Sequence, residues 1–256
     1  MKTFCFTVDD NILFFKDIME KGYKSIFENP YLAMYKRLHE KFNLKIQLNL
    51  FYRTEGFDLS MMSEKYLPEW KENCDWLKLS FHSDLNNVSP YEFSGYDEVF
   101  GDCEKVNREI CRFASPSALA KTTTVHYCLT TKDGVEALGD NKVLGLLGLF
   151  GTDEKPSTSY SIDMENAAKI RDGNIVAIDC ISYAAIDVVL NCFSKEENLS
   201  RISDRIGREG IRVMIHEQYF YPDYKAYQPD FEEKLEAAFS LLTSSGYESR
   251  FFEELI

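Results

Sequence analysis

Short apolar stretches rich in β-branched and aromatic residues alternate along the chain with longer stretches whose apolar positions recur every three to four residues. Short apolar runs are typical of buried strands, and the longer spacing is typical of amphipathic helices. The predicted strands cover residues 2–8, 44–50, 76–82, 122–128, 143–150, 174–181 and 211–217. The predicted helices cover residues 29–43, 60–74, 96–114, 194–210 and 228–246, with Gly210 suited to a left-handed C-terminal cap.

This alternation favours an α/β fold in which βα units surround parallel strands. About seven such units in 256 residues fit a distorted (β/α)7 barrel better than an open doubly wound sheet, although the pattern is compatible with either. No internal repeat and no linker-like stretch divides the chain. We therefore predict one barrel domain over residues 1–256.

Charge and cysteine content narrow the possible functions. The formal net charge of −13 argues against nucleic-acid binding, which requires a dense cationic surface. The longest apolar stretch, 142–151, is too short to cross a bilayer, and the N-terminal "MKTFCFTVDD" lacks the features of a signal peptide. Seven widely spaced cysteines without a CxxC pair suggest neither a disulfide framework nor a zinc–thiolate site. We expect a cytoplasmic protein with mostly buried thiols and no membrane partner.

Chemically reactive residues collect where predicted strands end. Asp9 and Asp10 follow the first strand, His82 ends the third, His126 lies near the end of the fourth and His216 lies near the end of the last. Three of the four histidines in the chain are therefore at or near strand ends. In both architectures the active site lies at the carboxyl ends of the strands.

The adjacent Asp9 and Asp10 have two interpretations. An aspartate at a strand end often caps the next helix or starts a turn. Two neighbouring carboxylates also repel each other unless a cation or hydrogen-bond donors compensate them, and a bound metal ion would do so. Adjacent residues of a regular strand face opposite sides, so both serve one site only if the strand bends here. Together with Asp10, His82 would form an oxygen-plus-imidazole set suited to a divalent ion such as Zn²⁺.

The order of these motifs resembles that of the NodB-like polysaccharide deacetylases. The chain carries "TVDD" at 7–10, "SFHS" at 80–83 and a late strand-terminal histidine, as a divergent member of that family would. The resemblance implies a distorted (β/α)7 barrel in which Asp9 is the catalytic base, Asp10 and His82 are metal ligands and His216 is the general acid.

The chain also departs from the family pattern. The family's second metal-binding histidine follows the first by four residues, where this chain has Asn86. Three outcomes stay open: Asn86 itself binds the metal, another group such as Asp84 or His126 replaces the histidine, or no metal binds. An amide oxygen is a weaker ligand for zinc than imidazole is, so Co, Mn and Ni are also candidates. The family's arginine–proline motif is not evident on the fourth strand, where His126 instead contacts substrate, joins the ligand set or plays a structural role.

The segment after the last strand supplies further candidates. Glu217 is suited to orienting a histidine, binding an amine or forming a salt bridge. The loop 218–227 is rich in aromatic residues, and Tyr219 and Tyr221 are candidate substrate-binding residues because aromatic rings stack on sugar faces. The same rings are equally suited to packing over the end of the barrel.

The sequence thus predicts a metal-dependent hydrolase that deacetylates an N-acetylated carbohydrate or cleaves a related small C–N amide. Zinc is the first candidate for the metal, and the expected partner is a carbohydrate or another small molecule. One alternative is a glycoside hydrolase with paired carboxylates such as Asp9 and Glu217. Another is a barrel without catalytic activity that binds a sugar or a metabolite.

Overall fold

The computed structural model describes residues 2–86, 91–151 and 159–256. The strands are β1 (Thr3–Asn11), β2 (Ile46–Thr54), β3 (Phe57–Asp58), β4 (Leu77–Leu85), β5 (Thr122–Thr123), β6 (Gly145–Gly148), β7 (Val176–Ile178), β8 (Ile181–Ala185), β9 (Val188–Val189), β10 (Gly210–His216) and β11 (Glu248–Ser249). The α-helices are α1 (Leu13–Lys21), α2 (Pro30–Phe42), α3 (Leu67–Glu72), α4 (Tyr96–Phe113), α5 (Lys132–Asp140), α6 (Met164–Arg171), α7 (Lys195–Ser203) and α8 (Phe231–Ser244).

The parallel strands follow one another around an interrupted ring. β1 pairs with β10 on one side and with β2 on the other, and β2 pairs with β4. In a second sheet β6 pairs with β5 and β8. The sheets meet on one side because β9, just after β8, pairs with β10. On the other side Leu79 of β4 forms a single bridge with Leu119, just before β5. This arrangement is the α/β fold with parallel barrel strands that the sequence predicts.

Strand β1 is buried along its whole length, as expected for a parallel strand covered on both faces. Phe4 and Phe6 pack against Phe239 of α8, with ring centroids 5.9 and 4.9 Å away. Because side chains alternate along a strand, Thr7 and Asp9 face the opposite side, which is the barrel interior. The outer face of β1 therefore builds the core, and its inner face leads to the reactive end of the barrel.

The barrel interior beneath that end is polar and hydrogen-bonded. Gln47 and Asn49 of β2 face inwards, and Nε2 of Gln47 donates to Oδ1 of Asn49 at 2.8 Å. Ser80 of β4 donates to the same oxygen at 2.5 Å, and Oγ1 of Thr122 donates to Oε1 of Gln47 at 2.9 Å. Buried polar groups that satisfy one another in this way form a fixed base on which charged side chains can be oriented.

Two predicted strands differ from the observed ones. The stretch 174–181 forms β7, which pairs antiparallel with β8 across a two-residue turn at Asp179 and Cys180, so the parallel strand is β8. Both turn residues have positive φ, 49° and 69°, which reverses the chain. The stretch 122–128 forms a paired strand only over Thr122–Thr123, and a helical turn that contains left-handed residues occupies His126–Cys128.

Two predicted helices are shorter than expected. The stretch 60–74 is mostly short 3-10 turns followed by α3. In the stretch 194–210, α7 ends at Ser203 and Gly210 begins β10, so the predicted glycine C-cap is wrong. Helices α1, α5 and α6 were not predicted, because each is only 8 or 9 residues long and so shows its helical spacing over little more than two turns.

All seven cysteines are free thiols. Cys5, Cys103 and Cys128 are buried, whereas Cys180 and Cys192 are exposed, so the expected burial holds for only some of them. Across the described residues, every helix is too short or too polar to cross a membrane.

Candidate metal centre and active site

Strand β1 bends at its pair of aspartates. The register between β1 and β2 shifts between Val8 and Asn11, and Asp10 has a left-handed backbone with φ of 64°. Asp9 keeps the inward direction of the strand and accepts a hydrogen bond from Nδ2 of Asn49 at 2.6 Å. The bend turns Asp10 towards the same end of the barrel, where its carboxylate contacts His82. The bend that two adjacent aspartates need to reach one site is therefore present.

Three side chains meet beside this bend. Nε2 of His82 lies 3.1 Å from Oδ1 of Asp10 and 3.1 Å from Nδ1 of His126. Nδ1 of His126 lies 3.3 Å from the same carboxylate oxygen. All three side chains are buried, and within the described residues they form a group of donor atoms close enough to share one metal ion.

The spacing of these atoms fits a divalent ion. Two ligands about 2.1 Å from an ion, at angles of about 90–109°, lie about 3.0–3.4 Å apart. The three observed separations are 3.1, 3.1 and 3.3 Å. Two imidazoles and one carboxylate are also a common ligand set for zinc and other transition metals.

The hydrogen bond behind His82 orients its ring for such a role. Nδ1 lies 2.5 Å from the backbone oxygen of Thr124, which can only accept, so Nδ1 carries the hydrogen. In the neutral ring, Nε2 then directs a lone pair towards Asp10 and His126. Lone pairs and a carboxylate at this spacing need a shared positive charge, either a proton or a metal ion. A backbone carbonyl behind the ring is also a usual partner of a metal-binding histidine.

Neighbouring charges and burial have opposing effects on the pKa values of the cluster residues. Burial opposes ionisation of Asp10, but hydrogen bonds from His126 and from the protonated ring of His82 outweigh it and hold the pKa of Asp10 well below the usual range. Burial lowers the pKa of His126. It would also lower that of His82, but the charges of Asp9 and Asp10 outweigh it and raise the pKa of His82.

Asp9 is a second buried carboxylate next to the cluster. Its side chain is only 2% exposed, and burial raises its pKa, although His82 and His216 oppose the rise. It takes no part in the three-atom group and is held by Asn49 instead. A carboxyl with a raised pKa is better suited to accept a proton near neutral pH than an ordinary aspartate is.

His216 lies next to Asp9 across the barrel rim. The two residues are partners in the register of β1 and β10. Nδ1 of His216 lies 2.8 Å from Oδ1 of Asn191, which also accepts a hydrogen bond from the His216 backbone N–H at 3.1 Å. An amide oxygen accepts only, so Nδ1 carries a hydrogen and Nε2 is the ring atom left for proton exchange.

Gln218 holds the other oxygen of Asp10. Its Nε2 donates to Oδ2 at 2.7 Å, while Oδ1 faces the two histidines. Phe51 of β2 packs against both imidazoles, with ring centroids 5.2 Å from His82 and 5.0 Å from His126. The Gln218 hydrogen bond fixes the Asp10 carboxylate, and the Phe51 ring limits rotation of the two imidazoles.

The two other candidate oxygen ligands from the sequence, Asn86 and Asp84, are in different surroundings from the buried cluster. Asn86 is exposed in the turn after β4. Asp84 forms ion pairs with Arg53 at 2.8 Å and with Lys105 at 2.5 Å. The residue that joins Asp10 and His82 is His126, one of the replacements that the sequence leaves open.

The predicted substrate-binding residues separate into two groups. Tyr219 is half-buried, and its ring centroid lies 6.2 Å from that of His216. Glu217 is fully buried and accepts hydrogen bonds from the first backbone N–H groups at the start of α1 and from Tyr221. Tyr221 also stacks on Tyr31. Tyr219 thus lies beside the site, whereas Glu217 and Tyr221 are engaged in packing.

Several residues of the site were not found from the sequence. Asn49 carried a signal, because Gln47 and Asn49 interrupt an otherwise apolar predicted strand at alternate positions. Asn191 and Gln218 carried none, since both come from irregular segments. Tyr127, next to His126, is 57% exposed, and its ring centroid lies 4.2 Å from that of His126.

Comparison with known proteins identifies the fold. No protein-family model and no curated protein sequence matches the chain. Among solved structures, a CE4 family pseudoenzyme from Bacillus anthracis matches with a TM-score of 0.56 and 13% identity, over 99% of this chain and 65% of that one. The chain thus spans about two thirds of the length of that protein.

Two enzymes have a similar fold. One is a family 4 acetyl xylan esterase from Clostridium thermocellum, solved with a cobalt ion, with a TM-score of 0.54 and 15% identity over 99% of this chain and 90% of that one. The other is a peptidoglycan N-acetylglucosamine deacetylase, with a TM-score of 0.55 and 10% identity over 99% of this chain and 87% of that one. The resemblance to the deacetylase barrels is confirmed at the level of fold.

Proposed function

We propose that the chain is a metal-dependent hydrolase that removes an acetyl group from an N-acetylated carbohydrate or cleaves a related small C–N amide. The observation that carries the proposal is the buried triangle formed by Asp10, His82 and His126, with a second buried carboxylate, Asp9, beside it. The fold alone does not decide the activity, because proteins with this fold include both deacetylases and a pseudoenzyme.

In this proposal Asp10, His82 and His126 hold a divalent ion, with zinc the first candidate and Co, Mn or Ni as others. His126 would supply the second imidazole that the family pattern places at position 86. When bound, such an ion polarises an acyl oxygen and lowers the pKa of water. The hydrogen bond that Nδ1 of His82 donates to the Thr124 carbonyl, and the one that Gln218 donates to Asp10, support this ligand role from the far sides of the two residues.

Two residues of the chain would move protons. Asp9, oriented by Asn49, would take a proton from the attacking water. His216, held through Nδ1 by Asn191, would release a proton from Nε2 to the leaving nitrogen. Asp9 and His216 are neighbours across β1 and β10, so the proposed base and acid would be adjacent to each other.

The substrate would lie between aromatic rings. The ring of Tyr127 is exposed next to His126, and that of Tyr219 is half-exposed next to His216. Aromatic rings beside a polar site are suited to stacking on sugar faces. The carboxylate pair of the glycoside hydrolase alternative has less support, because the Glu217 carboxylate is already bound to the start of α1.

The test combines metal analysis with substrate turnover. Metal content of the purified protein is measured by elemental analysis, and acetate release is measured on a panel of N- and O-acetylated sugars with added Zn²⁺, Co²⁺, Mn²⁺ or Ni²⁺. We expect one ion per chain and acetate from at least one substrate. His126→Ala should lose the ion, whereas Asn86→Ala should keep it.

Two results would change the conclusion. Loss of the ion in Asn86→Ala but not in His126→Ala would restore the family-like ligand set. Stoichiometric sugar binding without metal and without acetate release would favour the sugar-binding barrel over the hydrolase.

A further inference from the structure

Three consecutive residues, the last of β10 and the two that follow it, each lie against the segment that follows Val8 of β1. His216 is the register partner of Asp9, and Gln218 donates to Oδ2 of Asp10. Between them, the side chain of Glu217 turns the other way and reaches the start of α1. The two stretches are more than 200 residues apart in the chain, with separations of 203–205 residues for the Glu217 contacts.

Glu217 binds this helix start with both carboxylate oxygens. Oε2 accepts from the backbone N–H groups of Ile12 at 2.6 Å and Leu13 at 2.9 Å. Oε1 accepts from the N–H of Phe14 at 2.7 Å and from the hydroxyl of Tyr221 at 2.9 Å. The side chain is completely buried, so no water competes for these four donors.

Helix α1 has no local substitute for this carboxylate. Its N-cap residue is Ile12, whose side chain cannot accept a hydrogen bond. The first N–H groups of a helix need an acceptor and favour a negative charge. The start of α1, which follows the first barrel strand, is therefore capped by Glu217, which follows the last barrel strand.

We infer that Glu217 is a positioning residue that fixes where Asp10 stands in the metal ligand set. Asp10 lies two residues before Ile12, in a left-handed backbone conformation that must be held in place by its surroundings. By binding residues 12–14, Glu217 anchors the chain immediately after Asp10 to the end of β10. The inference rests on the proposed metal function of Asp10, His82 and His126.

Both charge and shape of the Glu217 side chain matter in this role. Glutamine has the same size but offers one acceptor oxygen, and its NH₂ group would face backbone donors. Glu217→Gln should therefore release the start of α1 and let the backbone at Asp10 relax. The three ligand atoms would then no longer hold their separations of 3.1–3.3 Å.

A matched control exists elsewhere in the fold. The carboxylate of Glu69 accepts hydrogen bonds from the Ser25 hydroxyl at 2.5 Å and from the Ile26 N–H at 2.8 Å, at the start of a different helical turn. Glu69→Gln thus removes a similar helix-start contact without touching the residues around Asp10. It separates loss of stability from loss of site geometry.

The experiment measures Zn²⁺ affinity by calorimetry and Tm of the metal-free protein for the wild type, Glu217→Gln and Glu69→Gln. We expect both variants to lower Tm, and only Glu217→Gln to weaken Zn²⁺ binding, by about tenfold or more. Equal Zn²⁺ affinity in a folded Glu217→Gln protein would overturn the inference. If Glu217→Gln does not fold, Tyr221→Phe is used instead, because it removes one hydrogen-bond donor to Glu217. It should weaken Zn²⁺ binding by about twofold or more, and an unchanged affinity would contradict the positioning role of Glu217.

A second measurement separates this inference from the metal proposal itself. The imidazole resonances of His82 and His126 are recorded by NMR in metal-free protein, with His39, which stacks on Trp76, as the internal reference. Glu217→Gln should shift the resonances of His82 and His126 but not those of His39. If the wild type binds no metal, the proposed function fails. The resonances of His82 and His126 still test the role of Glu217, because unshifted signals in Glu217→Gln would show that Glu217 does not position the cluster.

Discussion

The backbone conformation of Asp10 gives the carboxylates of the adjacent Asp9 and Asp10 different directions and different partners. Its φ of 64° turns its carboxylate to the histidines, while Asp9 keeps the inward direction of β1 and is held by Asn49. A left-handed non-glycine residue costs about 1–2 kcal/mol. The contacts of Asp10 with His82, His126 and Gln218 are available to offset that cost.

Asp9→Asn tests the division of roles between the two aspartates. The amide keeps an oxygen for the Asn49 hydrogen bond but cannot accept the proton of a water molecule. We expect kcat to fall by about 10²–10⁴-fold with metal content unchanged. Steady-state kinetics and elemental analysis measure the two effects. Asp97→Asn, an exposed change in the first turn of α4, is the control, and equal activity in both variants would show that Asp9 is not the base.

Tyr127 allows a test of substrate stacking. Its ring is 57% exposed, so its removal costs little packing. If the ring stacks on a sugar, Tyr127→Ala should raise KM about five- to tenfold, equivalent to about 1 kcal/mol of lost stacking, with kcat much less affected. Tyr127→Phe keeps the ring and should behave as the wild type. An unchanged KM in Tyr127→Ala would remove this residue from the substrate site.

At the level of elements, His126 reaches the cluster because β5 stops early. A regular strand over 122–128 would continue past the rim, but Tyr127 and Cys128 have φ of 61° and 56° and turn the chain back. The helical turn that results carries His126 to Asp10 and leaves the Tyr127 ring exposed. One local reversal therefore supplies a candidate metal ligand and a candidate substrate contact.

The hairpin between β7 and β8 gives a test of local strain. Its turn residues, Asp179 and Cys180, both have positive φ, a conformation in which glycine is favoured. Cys180→Gly should raise the free energy of unfolding by about 0.5–1 kcal/mol, because the relief of strain exceeds the added entropy of the unfolded chain. Urea denaturation measures the change. Cys180→Ala retains the Cβ atom and therefore the strain. An equal increase in the free energy of unfolding in that variant would rule out relief of backbone strain as the cause.

At the scale of the whole molecule, the candidate metal centre lies where the two sheets share little strand pairing. Asp10 and His82 belong to the first sheet, whereas His126 follows β5 of the second. In the described chain the two sheets are joined at this side by a single bridge between Leu79 and Leu119. A bound ion would therefore tie the sheets together where backbone pairing is sparse.

Removal of the metal should consequently destabilise the protein. With free Zn²⁺ at about one hundred times its Kd, binding stabilises the folded state by about 2.7 kcal/mol, which corresponds to a Tm higher by about 5–10 °C. We expect EDTA to abolish this increase and to speed amide exchange around residues 119–124. Asp10→Ala should show no Zn²⁺-dependent change in Tm. A similar Zn²⁺ effect in that variant would place the ion elsewhere.

The sequence by itself determined the order of elements and the residues available for chemistry. Apolar runs predict the central strands β1, β2, β4 and β10 well, because buried parallel strands have a strong local signal. Since the carboxyl ends of these strands share one rim, the sequence predicts that Asp9, Asp10, His82 and His216 lie close together. One domain over residues 1–256 stays a prediction.

Only the tertiary structure decided which of these residues touch. The inward turn of Asp10 and the reversal after His126 depend on single backbone angles that are held by distant contacts, and no local pattern encodes them. The burial of Glu217 against α1 likewise depends on the pairing of β10 with β1. Alternation along a strand sets the side that a residue faces, but distances of about 3 Å are fixed only when strands from far apart in the chain pack together.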